Sequence, residues 1–237
     1  MQLFYSALVQ ETDRNFTFDA IESRHIVKVL RKKEGDQIYL TNGRGILFHS
    51  ALMEANPKRC TVRIERLEKK QKQRPYYLHM AISPTKNNDR FEWFLEKATE
   101  IGVDEISPIF CDHSERKTIK MDRLKKIIET AGKQSLKFHF PKLNPAIHFS
   151  DFIAAAPSYQ KYIAHCNEDI ERKALNQIFK KESNLLIAIG PEGDFSLREI
   201  QAAISAEFSS ISLGSSRLRT ETAGLVAVHS TAILHAI

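Results

Sequence analysis

Cysteine is scarce in this chain: Cys60, Cys111 and Cys166 are the only three, they lie far apart, and none belongs to a CxxC pair or a Cys/His ligand spacing. An odd, scattered set excludes a disulfide framework and a zinc site, so no metal is expected and reduced thiols point to the cytoplasm. The opening residues, MQLFYSALVQETD, lack a basic leader followed by an apolar segment, so no secretory signal is expected. The longest charge-free run, residues 222–237, is too short for a bilayer and carries His229 and His235. It reads as a buried helix, and no membrane partner is expected. GxxxxGK[ST] is absent, as is GxGxxG after an early strand, which removes a nucleoside triphosphate cradle and a dinucleotide site. There is no internal repeat and no low-complexity tract.

What is present is an ordinary apolar fraction, 42 % of 237 residues, enough for a real core in one large domain or two. The net charge of +6 is gathered in clusters: Arg31, Lys32 and Lys33; Lys69, Lys70, Lys72 and Arg74; Arg116, Lys117 and Lys120. Excess base favours polyanionic partners through counterion release, although each cluster also reads as a solvated helix face or linker.

Residues 1–67 look β-rich. Residues 37–40 form a short strand, Asn42-Gly43 is a hairpin signal, residues 46–53 return as its partner, and residues 60–64 alternate like a half-exposed strand. A small β domain, read as a barrel, follows. Within it residues 23–31, SRHIVKVLR, place Ile26, Val27 and Leu30 on one helical face and send His25, Lys28 and Arg31 toward a rim that can meet phosphates. For His25 a purely structural role competes with that one. Residues 68–75, EKKQKQRP, are polar and basic and mark the boundary between a domain over 1–70 and a second over 75–237.

The second domain alternates strands and helices. Strands are expected at 77–82, 106–110, 163–166, 185–189 and 211–213. One helix carries Phe91, Phe94, Leu95, Ala98 and Ile101 and stops at Gly102, and the next carries Leu124, Ile127, Ile128 and Ala131. A third begins at a Ser196/Glu199 capping box and buries Leu197, Ile200 and Ile204. This alternation predicts a mainly parallel α/β sheet covered by helices.

Two strand ends stand out, IGPEGDFS at 189–196 and ISLGSSRLRTETAGL at 211–225. In α/β sheets ligands bind where strand ends turn into helices. Gly190, Gly193 and Gly214 let the backbone come close to a ligand, while Pro191 stiffens the first turn. Simple turn chemistry is the competing reading for any one of them. With phosphate and dinucleotide patterns absent, a tight main-chain pocket beside Arg217, Arg219 and Glu221 suits group transfer to an anionic substrate.

Taken together, LGSSRLRTETA (213–223), IGPEGDFS, HIVKVLRKKEGD (25–36) and EKATEIGVDEISPI (96–109) resemble the RsmE family, the uracil-N3 methyltransferases of 16S ribosomal RNA in the SPOUT superfamily. The resemblance spans nearly the whole chain. It implies a PUA-like β-barrel for RNA, then an α/β domain with a C-terminal trefoil knot, a homodimer, and S-adenosylmethionine as cofactor. Carried over by residue, Ile189, Gly190, Pro191, Glu192 and Gly193 line one side of the cofactor, and Leu213, Gly214, Ser215, Leu218, Thr220, Thr222 and Ala223 the other. Asp194 stands where the family usually has glycine, Ser215-Ser216 replaces a proline-arginine-like pair, and Lys133 and Lys137 sit in AGKQSLK where AxEQSxR is usual.

Uracil N3 carries a proton and is weakly nucleophilic until it is lost, so a methyltransferase must remove that proton or stabilise the resulting anion. Arg219 is assigned to the anion, with Arg217 or Arg116 holding RNA phosphate, and Glu221 or Glu192 is the candidate base. For Glu221, orienting Arg219 or capping the last helix is an equally good role. A non-catalytic dimeric RNA-binding protein, or a methyltransferase of another RNA, fits the same residues.

Overall fold

A computed structural model describes residues 1–72, 74–180 and 184–236. Residue 73, inside the polar boundary segment, and residue 237, the end of the charge-free run, lie outside the described residues. The chain divides into two compact units, one of Met1–Gln73 with Gly132–Phe140, the other of Arg74–Ala131 with Pro141–Ile237. Recruitment of the 132–140 segment to the first unit has no sequence signal, because it depends on contacts between residues far apart in the chain, such as Phe140 stacked on Tyr5 and close to Gly43.

The first unit is a mixed sheet of β1 (Leu3–Tyr5), β2 (Asn15–Thr17), β3 (Gln37–Thr41), β4 (Ile46–Glu54) and β5 (Thr61–Lys69) in the order β1-β3-β4-β5-β2. β1 runs parallel to β3 and the other pairs are antiparallel. The order ends on β1 and β2, a half-barrel where a full barrel was expected. β5 outruns the expected strand because its polar half pairs with β4, where Glu68 meets His49. Helix α1 (Ala20–Arg24) starts at Asp19, whose carboxylate accepts from the Glu22 amide, and runs into a π-helical turn, His25–Val29. The chain leaves that turn at Arg31 with φ +54.

The second unit contains β6 (Leu78–Ile82), α2 (Asn88–Ile101), β7 (Glu105–Phe110), α3 (Met121–Gln134), β8 (Lys142–Leu143), β9 (Ile147–His148) and α4 (Phe149–Ala154), of which α3 ends in the 132–140 segment. It continues with β10 (Gln160–Ala164), β11 (Lys173–Ala174), α5 (Leu175–Ile178), β12 (Leu185–Ile189), α6 (Leu197–Ser205), β13 (Ser209–Ser212) and α7 (Thr220–Ala236). The strands are ordered β11-β13-β10-β12-β6-β7-β8, with β9 on β7, and every pairing is parallel. Such a sheet is buried on both faces. Leu78, Met80 and Ile82 pack with Phe94, Leu95, Ala227 and Val228, and Ala81 on the opposite face packs with Phe149, Phe152, Ile200 and Ala203.

The expected stripe on α6 needs correction. Ile200 is buried, but Leu197 and Ile204 are 51 % and 43 % exposed, and Ala203 takes the inward position. The helix is only nine residues long and meets the sheet on a narrow strip, so the flanking leucine and isoleucine fall outside it.

At the other end of the sheet a buried polar network crosses β6 and β7. His79 Nε2 lies 2.8 Å from Ser107 Oγ, and Asn144 donates to both Ser107 Oγ (2.8 Å) and Glu105 (2.7 Å). Tyr77 and Lys142 also donate to Glu105. Burial pulls His79 down to about 4, so its ring is neutral despite Glu105 at 3.9 Å. Burial alone would raise Glu105, but donors from Asn144, Lys142 and Tyr77 outweigh it and bring the carboxyl to about 2. Both groups have folded values below their unfolded ones, so each adds stability at neutral pH that is lost on acidification. For His79 the loss runs from about 6.5 down to about 4, and for Glu105 from about 4.5 to about 2. Denaturant unfolding is expected to show about 2 kcal/mol less stability at pH 5 than at pH 7, and His79→Gln to flatten that difference. An unchanged slope in the variant would assign the acid sensitivity elsewhere.

Candidate functional site

β13, β10, β12 and β6 are consecutive, parallel neighbours, so four chain ends leave the sheet side by side at its carboxyl edge. The turn after β12 begins at Gly190, and the turn after β13 holds Gly214. They are joined directly: Thr220 Oγ1 donates to the Gly190 carbonyl at 3.0 Å, in buried surroundings. Thr220 opens α7 and so carries that helix's start to the first turn.

Two glycines are required here for different reasons. A Cβ on Gly190 would lie 3.0 Å from the Phe195 ring and 3.1 Å from its amide nitrogen, so the turn closes tightly on itself. Gly214 has φ +130, which side chains rarely adopt, and a Cβ there would meet nothing within 4 Å. Open space therefore faces the second turn.

The loop after β6, left by sequence as a plain polar connection, is the third wall. The Ser83 amide donates to Ile189 O, and the Lys86 amide donates to Glu192 Oε1 at 2.9 Å. Arg116 holds this loop by donating to the carbonyls of Thr85 and Lys86, so its guanidinium serves the protein's own backbone as well as any phosphate. The position of this loop at a parallel strand end was the signal that could have found it.

The fourth wall follows β10, which stops at Ala164, two residues before the expected end of that strand. His165 is 4 % exposed, neither of its ring nitrogens has a partner among the described residues, and Arg172 fixes its carbonyl. Burial holds its pKa below the ordinary range, against a smaller upward pull from Asp194. Asp194 has φ +64, which explains why glycine is usual at that position, and its Oδ2 accepts the Cys166 amide at 2.7 Å. His113 Nδ1 lies 3.0 Å from Gly193 O.

Among the charged candidates, Glu221 is buried, with Oε1 3.8 Å from Arg90 Nε and Oε2 without a partner among the described residues. Its charge partner is thus Arg90 of α2, which sequence reasoning missed, rather than Arg219. Arg217 and Arg219 are exposed and form no ion pair among the described residues. Of the other residues carried over, Ile189 and Pro191 are buried, Leu213, Leu218, Thr222 and Ala223 are half-buried, and Gly193 and Ser215 are exposed. In the first unit Lys28 and Arg31 are exposed, whereas His25 lies against the edge of Phe4 and 3.3 Å from the Gln2 amide, a structural setting.

The site thus has room beside Gly214 and buried acceptors without a partner among the described residues, at Glu192 Oε2 and Glu221 Oε2. Buried polar atoms are ordinarily satisfied. A ligand carrying positive charge and several donors fits these residues. No group of three or more His, Cys, Asp or Glu arranged for a metal occurs among the described residues.

Residues 72–232 match the family model of the RNA methyltransferase domain, and residues 19–65 that of the RNA methyltransferase PUA domain. The chain is similar to a structure described as a probable rRNA-methyltransferase from Porphyromonas gingivalis, 42 % identical, TM-score 0.93, covering 100 % of this chain and 99 % of that one. It is also similar to the ribosomal RNA small subunit methyltransferase E of Neisseria gonorrhoeae, solved bound to S-adenosyl methionine, at 27 % identity and TM-score 0.86, covering 99 % and 98 %. The ribosomal RNA small subunit methyltransferase E of Buchnera aphidicola (subsp. Acyrthosiphon pisum) is 30 % identical over 221 residues, 90 % of this chain and 86 % of the relative.

The Thr220–Gly190 bond sets how the two turns meet. Thr220→Val keeps the shape and leaves a buried carbonyl unsatisfied, a cost of about 1–3 kcal/mol, so thermal unfolding should fall by roughly 2–12 °C, with Thr220→Ser close to the parent protein. Equal melting of all three would deny the bond that role.

Proposed function

The chain belongs to the RNA methyltransferase family that includes the small-subunit ribosomal RNA methyltransferases E, and from that premise we propose that it methylates N3 of one uridine in 16S ribosomal RNA. The donor is S-adenosylmethionine. The observation that carries the reading is the pair of glycine turns bonded through Thr220, with unpartnered carboxylate oxygens beside an open glycine. S-adenosylmethionine is cationic and rich in donors, a ligand that Glu192 Oε2 suits, while Glu221 Oε2 is left for the uracil. Ile189 to Gly193 would hold one side of it, and Leu213, Gly214, Ser215, Leu218, Thr220, Thr222 and Ala223 the other.

When bound, the cofactor supplies a methyl group already activated by its sulfonium. The protein's task is the uracil. Arg219, unpaired and placed immediately before α7, stabilises the anion that forms as N3 loses its proton, and the positive end of the α7 dipole adds to its field. Glu221 Oε2 is the acceptor for that proton, with Arg90 holding the carboxylate in place from the other side. Arg217 meets phosphate. The target base must leave its stack to reach the site, as chemistry on a base edge requires.

The same reading assigns RNA binding to residues 1–70 and catalysis to 75–237. It also includes a trefoil knot, supported by the sheet order: β13 fills the place between β10 and β11, strands that precede it and are joined to each other. A homodimer is included as well, supported by α7, an apolar helix on which Leu225, Val226 and Ala232 are only half-buried and Ile233 is 46 % exposed. No helix among the described residues is long and apolar enough to cross a membrane, and the substrate assigns the work to the cytoplasm.

The test is transfer of radiolabelled methyl to undermodified small subunits, free 16S RNA and transfer RNA, followed by nucleoside analysis. Label in N3-methyluridine of the small-subunit RNA is expected; label in another nucleoside or only in transfer RNA overturns the target. With cofactor affinity measured separately by calorimetry, Arg219→Ala and Glu221→Gln should each lower turnover by about 100-fold or more, while binding stays within about threefold. Near-normal turnover in both removes these roles, and no cofactor heat in the parent protein would favour a non-catalytic RNA binder.

A further inference from the structure

In the first unit, α1 and the turn joining β4 to β5 flank an open cleft of about 790 Å³. Ala20, Ile21 and Pro57 give it an apolar face, and Arg24, Lys28 and Lys58 give it a cationic rim, with no carboxylate in the lining. Ile21 is 78 % exposed, an aliphatic side chain left bare at the mouth. The neighbouring acids are engaged elsewhere: Asp19 caps α1, Glu22 pairs with Lys133, and Glu54 pairs with Arg59 at 3.4 Å. Arg24, Lys28 and Lys58 make no ion pair among the described residues.

The two walls are fixed to each other. Ser23 is fully buried; its Oγ accepts the Cys60 amide at 2.8 Å and donates to Phe18 O, while the Phe18 amide donates to Cys60 O. Pro57 and Lys58 sit just before Cys60, at the tip of a turn closed by Asn56, whose side chain accepts from the Lys58 amide. The cleft is therefore built before anything enters it.

We propose that this cleft is a nucleotide subsite, taking one unstacked base of the RNA against Ile21, Pro57 and the plane of Arg24, with the flanking phosphates on Lys28 and Lys58. This rests on the RNA methyltransferase reading above and adds a second point of contact, one that holds a base and not only the backbone. Phosphates alone need cations and no apolar face, whereas an unpaired base needs an apolar or guanidinium face to stack on. A second copy of the chain fits poorly, because a two-fold interface would set the three unpaired cations against themselves.

The test uses the full-length protein and two fluorescent single strands of equal length and charge, oligouridylate and its abasic counterpart. The parent protein should bind oligouridylate about tenfold more tightly than the abasic strand. Ile21→Ser, which removes no buried contact, should bring that preference to about threefold or less and leave abasic binding unchanged. Joint replacement of Arg24, Lys28 and Lys58 by alanine should weaken both strands and reduce the salt slope by about 1.4. An unchanged preference in Ile21→Ser overturns the subsite, as does sedimentation showing that Ile21→Ser instead dissociates a self-association. Methyl transfer measured on the same preparations separates the two readings. No transfer with the Ile21-dependent preference intact overturns the enzyme and supports the subsite; normal transfer with no such preference overturns the subsite alone.

Discussion

The position of β13 between β11 and β10 is the constraint on which the second unit depends. A chain that ran in simple order would leave its two glycine turns on separated strands. Because β13 enters a place already bounded by earlier strands, its turn comes out beside β10, and the turn of β12 comes out on the other side of the same strand. The residues after β10 are thereby enclosed, and His165 there is buried with no partner for its ring among the described residues. The Thr220 hydroxyl then needs only a single hydrogen bond to join the outer two. The start of α7 and the residues just ahead of it are positioned by that arrangement.

Two sets of acids show what the arrangement leaves unfinished. Glu105 receives donors from Tyr77, Asn144 and Lys142, and its carboxyl stays ionised well into acid. Such a group is saturated and can only stabilise. Glu221 and Glu192 each keep an oxygen with no donor among the described residues. An unmet buried acceptor costs on the order of 1–3 kcal/mol; among the carboxylates of the described residues it is found at the carboxyl edge of the sheet, whereas in the network at β6 and β7 the atom without a partner is His79 Nδ1 and every oxygen of Glu105 has a donor. That distribution separates receptive carboxylates from structural ones without reference to any relative.

Much of this could be read from the sequence, because the signals were local. The α2 stripe, Gly102 at its end, the Ser196/Glu199 capping box and the all-apolar β12 depend on residues within one turn or one strand. The glycine turns were visible for the same reason. What could not be read depends on long-range neighbours. Arg90 becomes relevant only once α2 and α7 pack together, and the loop at 83–87 only once β6 lies next to β12. Leu197 and Ile204 have the right spacing for burial, but the width of the contact strip, set by the sheet, decides which side chains enter it. The half-barrel likewise follows from which strands find partners, not from their number.

Asp194 shows how a departure from a family pattern can be absorbed. Glycine is usual there because the backbone takes a left-handed conformation, at φ +64 in this chain. Aspartate is among the few side chains that tolerate that region, because its short polar group can bond locally. Here the bonding is not only local. One oxygen accepts the adjacent Phe195 amide at 2.8 Å, and the other reaches the Cys166 amide at 2.7 Å, tying the turn after β12 to the chain after β10. A glycine would make the turn at less conformational cost but could not make the tie. The substitution therefore exchanges backbone ease for a cross-link between two walls of the site, and it adds a negative charge beside His165 whose upward pull opposes the lowering caused by burial.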